Sequence, residues 1–336
     1  MNPICARSSA ISACSGTTPT PGPCRPGGAE PETARSAPRL CPTGRFEKDY
    51  AHGGEEYVGL HVPIAFSGDG PADKARAFRA AAAVLTEEFG DAPIMGVYGD
   101  PGPFYNPPPL WGSPFLRWRD QDNSLELHAG EHGPELLLQP TGPVENWFWR
   151  QGHGENYALG GFFGTRRDPA NAGLGIPGGR RTEDWDVFTI TLGNFLRTLP
   201  AETHALGIEL GLGIHARVPG THGPILFLLS CRDRLEIAYD TEPLGELDEN
   251  VPDPLTFGWT PYPSGAAVVD NWFDATHHSG SFGIGEVDGR ALATMLVDTL
   301  RALGVSSPKD LGLADHSQRV GDYYVHYYGL TLRENP

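Results

Sequence analysis

The sequence predicts an α+β fold: a duplicated unit of antiparallel sheet with helices packed on one face. Three observations carry that expectation. Apolar residues switch between a helical period and an alternating strand period several times along the chain. A short phrase occurs twice, as Pro143-Val144-Glu145-Asn146-Trp147-Phe148-Trp149 and as Val268-Val269-Asp270-Asn271-Trp272-Phe273-Asp274. Each phrase follows a similar pair of strand-like runs. Leu116-Arg117-Trp118-Arg119-Asp120 with Ser124-Leu125-Glu126-Leu127 parallels Leu229-Ser230-Cys231-Arg232-Asp233 with Arg234-Leu235-Glu236-Ile237. A repeat at this distance points to a duplicated unit of a little over a hundred residues, not to a short-period solenoid.

Residues 1–55 are rich in Pro, Ser, Thr and Gly and hold few large apolar side chains. They cannot bury enough surface to offset the entropy of ordering, so an unstructured tail is expected. A first unit over residues 56–165 opens with a strand at Tyr57–Phe66. Pro71 suits the first position of a helix, where its missing N–H is no loss. Phe78, Ala82, Leu85 and Phe89 then mark one helical face, and Gly90 ends it. Ile94–Tyr98 reads as a strand. Phe115–Arg119, Ser124–His128 and Glu135–Gln139 read as a meander, because the residues between them have turn chemistry.

A second unit spans residues 166–336. The Gly-rich stretch from Gly152 to Arg181 reads as a lid or as the link between halves. Thr182 is expected to cap a helix marked by Trp185, Phe188, Leu192, Phe195, Leu196 and Leu199 and stopped by Pro200. Leu206–Ala216, Ile225–Ser230 and Arg234–Tyr239 follow as strands. Asp288 should cap a third helix ending at Gly304, Ser307-Pro308 a short one, and Tyr323–Leu332 forms an aromatic final strand.

Composition narrows the partners. The formal charge is −17, and the first fifty residues carry +2 from six basic and four acidic side chains, which leaves −19 on the rest. An acidic body without a Lys/Arg cluster repels phosphate backbones and anionic membrane, so neither nucleic acid nor membrane is expected as a partner. A basic protein partner suits it. Four of five cysteines (Cys5, Cys14, Cys24, Cys41) crowd into the first 45 residues. A disulfide framework would spread them through the body, so a reducing cytoplasm fits better. Cys231, inside an apolar run, reads as an inert core thiol. Ile11-Ser12-Ala13-Cys14 resembles a lipobox, but the segment before it is too short and polar for a signal peptide.

The candidate chemistry is thin. Asn146, Trp147, Asn271 and Trp272 read either as two equivalent binding positions or as structural anchors, with buried rings and capping Asn side chains. His153 and Glu155 follow the first phrase, and His277 and His278 the second. They are the candidates if the protein is an enzyme, acting as general acid or base. Neither segment has the spacing of metal ligands, so no metal and no cofactor are expected. There is no nucleophile elbow, and the glycines at 173–179 lack the Gly-Lys-Ser/Thr ending of a phosphate loop. Glu242, Glu246, Asp248, Glu249 and Asp253 cluster in one segment that reads as a solvated loop or as a docking site for an electropositive partner.

Trp185, Phe188, Leu192, Leu196 and Leu199-Pro200-Ala201, with Leu300-Arg301-Ala302-Leu303-Gly304-Val305 before Pro308 and Leu311, resemble the helix patterns of TY-Chap domains. These are YbjN-like, secretion-chaperone-like domains of actinobacterial toxin and effector systems. The resemblance covers about 40 of 336 residues, nearly all core positions. It implies a binding role, as a chaperone- or immunity-like partner, and carries over no catalytic residues. The sequence therefore leads to a non-enzymatic cytoplasmic binding protein that engages a basic toxin or effector through its acidic surface. The alternative is a hydrolytic enzyme using histidines and carboxylates near the duplicated phrases. A small-molecule binder using the aromatic strand is a third reading.

Overall fold

A computed structural model describes residues 38–42, 58–65, 67–99, 109–142, 144–145, 160–166, 182–216, 225–241, 252–261, 272–274, 281–328 and 333–334. Helix α1 (Pro71–Phe89) begins on its proline and buries Ala75, Phe78 and Ala82. Gly90 closes it at φ 76°, donating its N–H to the Thr86 carbonyl. Helix α2 (Trp185–Leu206) is capped by Asp184 rather than Thr182, because the Asp184 carboxylate accepts from the amides of Asp186 and Val187. The Thr182 hydroxyl serves one step earlier, accepting from the Asp184 amide. Helix α3 (Gly289–Ala302) is capped by Asp288, whose side chain accepts from the Ala291 amide, as expected.

Pro200 does not stop α2. It lies inside the helix, which runs two further turns to Gly207 in the left-handed conformation. An interior proline costs roughly 3 kcal/mol through its missing N–H and its ring. Here Leu199, Pro200, Ala201 and Ala205 are all buried, and their packing outweighs that cost.

The strands, in chain order, are β1 (Arg39–Pro42), β2 (Val58–Pro63), β3 (Ile94–Val97), β4 (Pro114–Arg119), β5 (Asn123–Ala129), β6 (Pro134–Pro140), β7 (Gly161–Thr165), β8 (Leu210–Ala216), β9 (Ile225–Cys231), β10 (Leu235–Asp240), β11 (Thr260–Pro261), β12 (Trp272–Asp274), β13 (Leu311–Leu313), β14 (Arg319–Val320), β15 (Tyr323–Tyr328) and β16 (Arg333–Glu334). They form two sheets, ordered β1-β2-β6-β5-β4-β3-β7-β15-β14 and β11-β12-β10-β9-β8-β13-β16. All pairings are antiparallel except β13 with β16. The α+β expectation is met, with a helical layer on one face of each sheet. Helix α2 packs against α1 and α3 and touches β3 and β4 of the first sheet and β9 and β10 of the second. One apolar core results, running from Met95, Leu116 and Leu127 through Phe195 and Leu199 to Phe227 and Ile237. No helix among the described residues is long and apolar enough to cross a membrane.

Three expectations need correction. The Gly-rich stretch contains β7, which sits in the middle of the first sheet between β3 and β15. Its GFFGT sequence is too short and glycine-rich to stand out, but all five residues are buried. The expected tail contributes β1, paired with β2 along Arg39–Pro42. Finally, the boundary at 165/166 does not close the first sheet, because β15 from the end of the chain pairs with β7. Helix, strand and hairpin do recur as α1-β3-β4-β5 and α2-β8-β9-β10. The two phrases differ, however: Val144 and Glu145 lie in a helical turn, whereas Trp272–Asp274 is strand β12 paired with β10.

A buried polar face on the first sheet

Alternation along each strand divides the first sheet into two faces. Met95, Val97, Leu116, Trp118, Leu127, Ala129 and Phe162 point to the helices. The residues between them form the opposite face, and strand register arranges that face in rows. His61, Leu137, Glu126, Arg117 and Ile94 lie side by side, each opposite the next. The neighbouring row holds Pro63, Glu135, His128, Phe115 and Gly96. A third brings Gln139, Ser124 and Arg119 together.

This face is unusual because it is both polar and buried. Arg117 and Glu126 are 0% exposed, His128 1%, Gln139 2% and His61 8%. Burying charge is expensive unless every group is answered. At the centre it is. The Arg117 Nε donates to Glu126 Oε2 at 2.8 Å, and its Nη2 donates to the Tyr98 hydroxyl at 2.7 Å. That hydroxyl in turn donates to the Glu126 carboxylate, 2.7 Å from Oε2. Burial alone would lower the Arg117 pKa, but Tyr98 and Glu126 outweigh it and hold the guanidinium above the usual arginine value. Tyr98 also stacks on Phe115 with ring centroids 4.3 Å apart.

Two histidines and a second carboxylate extend this network. His128 Nδ1 lies 3.8 Å from Glu126 Oε1, and its Nε2 lies 3.6 Å from Glu135 Oε2. The same Glu135 oxygen is 3.6 Å from His61 Nδ1. The two imidazole centroids are 5.3 Å apart. Donor atoms of His61, His128 and Glu135 all fall within 4.8 Å of one another. The chain Arg117–Glu126–His128–Glu135–His61 thus crosses strands β4, β5, β6 and β2. It can hold a cation or move a proton between imidazole and carboxylate. Both polar atoms of the Gln139 side chain are buried without a hydrogen-bond partner, at a cost of about 1–3 kcal/mol.

Glu145, from the first repeated phrase, lies against this face. Its Oε1 is 2.6 Å from Arg119 Nε. Burial raises its pKa, while Arg119 and then Arg117 oppose the shift. Asn146, Trp147, His153, Glu155, Glu242, Glu246, Asp248, Glu249, Asn271, His277 and His278 lie outside the described residues. Asp253 caps a short turn, accepting from the Leu255 amide at 2.9 Å. Trp272 is placed by the backbone pairing of β12, opposite Asp240. Cys231 is buried, and burial pushes its thiol up to about 12, as an inert core thiol should be. In the aromatic strand, Tyr327 is half-buried against Phe162 and Phe195, and the Tyr323 hydroxyl donates to the Ala92 carbonyl. Those rings serve packing.

Sequence reading missed the convergence of His61, His128 and Glu135. One signal was present. The turn Gly130-Glu131-His132-Gly133 between two expected strands fixes a register in which His128 faces Glu135. Compared with protein-family models, with curated proteins and with solved structures, the chain matches none.

Proposed function

We propose that the buried polar face is the working site of a hydrolytic enzyme. This is the alternative raised by the sequence, moved from the loop histidines to strands β2, β5 and β6. The observation that supports it is the convergence of two imidazoles and two carboxylates on a rigid sheet. Concentrations of titratable groups such as these, beside a satisfied Arg–Glu pair, favour function. Glu135 and His61 form the more open end, with side chains 14% and 10% exposed, so an attacking water belongs there. Its proton passes to Glu135 or His61 as its oxygen bonds to the acyl carbon; the acyl C–O or C–N bond then breaks, and the alcohol or amine leaves with that proton. The −17 charge disfavours phosphate substrates and favours neutral or cationic esters and amides.

The test is a panel of neutral and cationic chromogenic esters and amides, assayed with the full chain and with the Glu135→Gln and His61→Asn variants. Turnover that falls at least about tenfold in both variants supports the reading, since positioned acid–base groups contribute roughly 100-fold or more. No turnover above buffer, or equal turnover in the variants, overturns it. A second reading is favoured by the charge alone: a chaperone- or immunity-like protein that docks a basic toxin or effector on Glu242, Glu246, Asp248, Glu249 and Asp253. Its test is capture of a basic protein from the native host, with an association rate that falls as salt rises.

A further inference from the structure

We infer that His61, His128 and Glu135 form a binding site for one zinc-class divalent cation. This rests on reading the polar face as the working site and names the cofactor that site would take. The donor set comes first. Two imidazoles and one carboxylate suit zinc and its neighbours, whereas magnesium and calcium want oxygen alone. The spacing agrees. A tetrahedral ion with bonds of about 2.0–2.1 Å separates its ligand atoms by about 3.3–3.4 Å. Glu135 Oε2 stands 3.6 Å from His61 Nδ1 and 3.6 Å from His128 Nε2, and the donor atoms of all three lie within 4.8 Å of one another, so the set closes when the two imidazoles draw together.

The surroundings support the same assignment. A ligating histidine usually presents its other ring nitrogen to a carboxylate, which fixes the tautomer and raises its basicity. His128 is turned this way: with Nε2 toward Glu135, its Nδ1 faces Glu126 Oε1 at 3.8 Å, a gap that a small shift on ion binding would close. Glu126 is itself held by Arg117 and Tyr98. The ligands come from three adjacent strands of one sheet, so their backbone positions are fixed before any ion arrives. Three protein ligands leave a fourth position for water, whose pKa a zinc ion lowers to about 7. The partnerless Gln139 lies on the same face, two residues beyond Leu137 and the row of His61.

The experiment uses the full chain, stripped with a chelator and titrated with zinc by calorimetry and with cobalt by visible absorption. The wild-type protein should bind one ion and give a tetrahedral cobalt spectrum. Glu126→Gln should weaken binding about 10–100-fold, the range for losing a carboxylate behind a ligating histidine. Glu135→Gln and His61→Asn should weaken it more, with thermal unfolding showing that both stay folded. Absence of one-to-one binding, or equal affinity in Glu135→Gln and wild type, overturns the inference. The hydrolytic reading fails separately. Hydrolysis by ion-free protein that is lost in Glu135→Gln would sink the metal site and keep the enzyme. Tight binding to the three ligands without hydrolysis would keep the site and sink the enzyme.

Discussion

Removing the Arg117 guanidinium should be among the most damaging single changes on the first sheet. Arg117 and Glu126 have side chains 1% and 0% exposed, joined at 2.8 Å. In Arg117→Met the apolar stem is kept, but Glu126 retains only the Tyr98 hydroxyl and the edge of His128. Stranding one partner of a buried pair costs about 3–5 kcal/mol, because the remaining charge has lost its compensation. The expected loss is therefore a large share of a typical total stability of roughly 5–15 kcal/mol. Urea unfolding followed by tryptophan fluorescence measures it, provided the slope with denaturant is unchanged. The double variant Arg117→Met, Glu126→Leu should recover much of the loss, since an apolar replacement of a buried pair is often close to neutral. A cost below about 1 kcal/mol for the single variant would refute the reasoning: Glu126 would then be reaching water, and the polar face would not be the low-dielectric environment inferred for it.

Other consequences can be checked alongside. Glu202 on α2 is buried, accepts from the Ser113 amide at 2.9 Å, and leaves its second oxygen without a partner. Burial pushes its carboxyl up to about 7, with Ser113, Thr198 and Arg197 pulling part of the way back. A raised carboxyl binds more protons folded than unfolded, so stability should fall by about 3 kcal/mol as pH rises from about 4.5 to about 7. Glu202→Gln should flatten that dependence in thermal melts across the same range; an unchanged slope would assign it to other groups. Trp259 is 1% exposed, stacks on Phe227 at 5.6 Å and donates to the Thr299 hydroxyl at 2.9 Å. Trp259→Ala should cost about 3–5 kcal/mol by denaturant unfolding, and a loss under about 1 kcal/mol would contradict its place in the core. Neutralising Glu242, Glu246, Asp248, Glu249 and Asp253 to Gln or Asn should leave folding intact and slow association with any basic partner captured; an unchanged, salt-dependent rate would exclude that segment as the docking face.

Local pattern made the helices and hairpins legible, because their signals are written within a few residues. Pro71, Gly90 and Asp288 each act on the turn beside them, and the structure puts all three at helix ends. Features decided by distant contacts were not legible. Pro200 looks like a stop signal until the surface that buries Leu199 and Ala205 is known. The segment Gly161–Thr165 has five residues and two glycines, and only the strands on either side make it part of a sheet. A Cβ on Gly96 would come within 2.2 Å of the Phe162 carbonyl oxygen, so the approach of β7 to β3 depends on a glycine 66 residues away.

The candidate site shows why a sheet hides chemistry better than a helix does. Helical ligands announce themselves at spacings of three or four, whereas sheet ligands are spaced by register and can lie anywhere in the chain. His61 and Glu135 are 74 positions apart, yet they share one face because β2 pairs with β6 at His61 and Leu137. Within the hairpin, the link between His128 and Glu135 was recoverable from the turn. The third ligand was not, because β2 joins the sheet beside β6 across the intervening strands. The charged residues of β4 and β5 hide the site in a second way. Arg117, Glu126 and His128 alternate with Leu116, Leu125 and Leu127, which is the pattern of a half-exposed strand with charge facing water. The structure keeps that alternation and buries the charged side as well. A strand of this kind, polar by sequence on the face that turns out dry, is where a functional site should be sought.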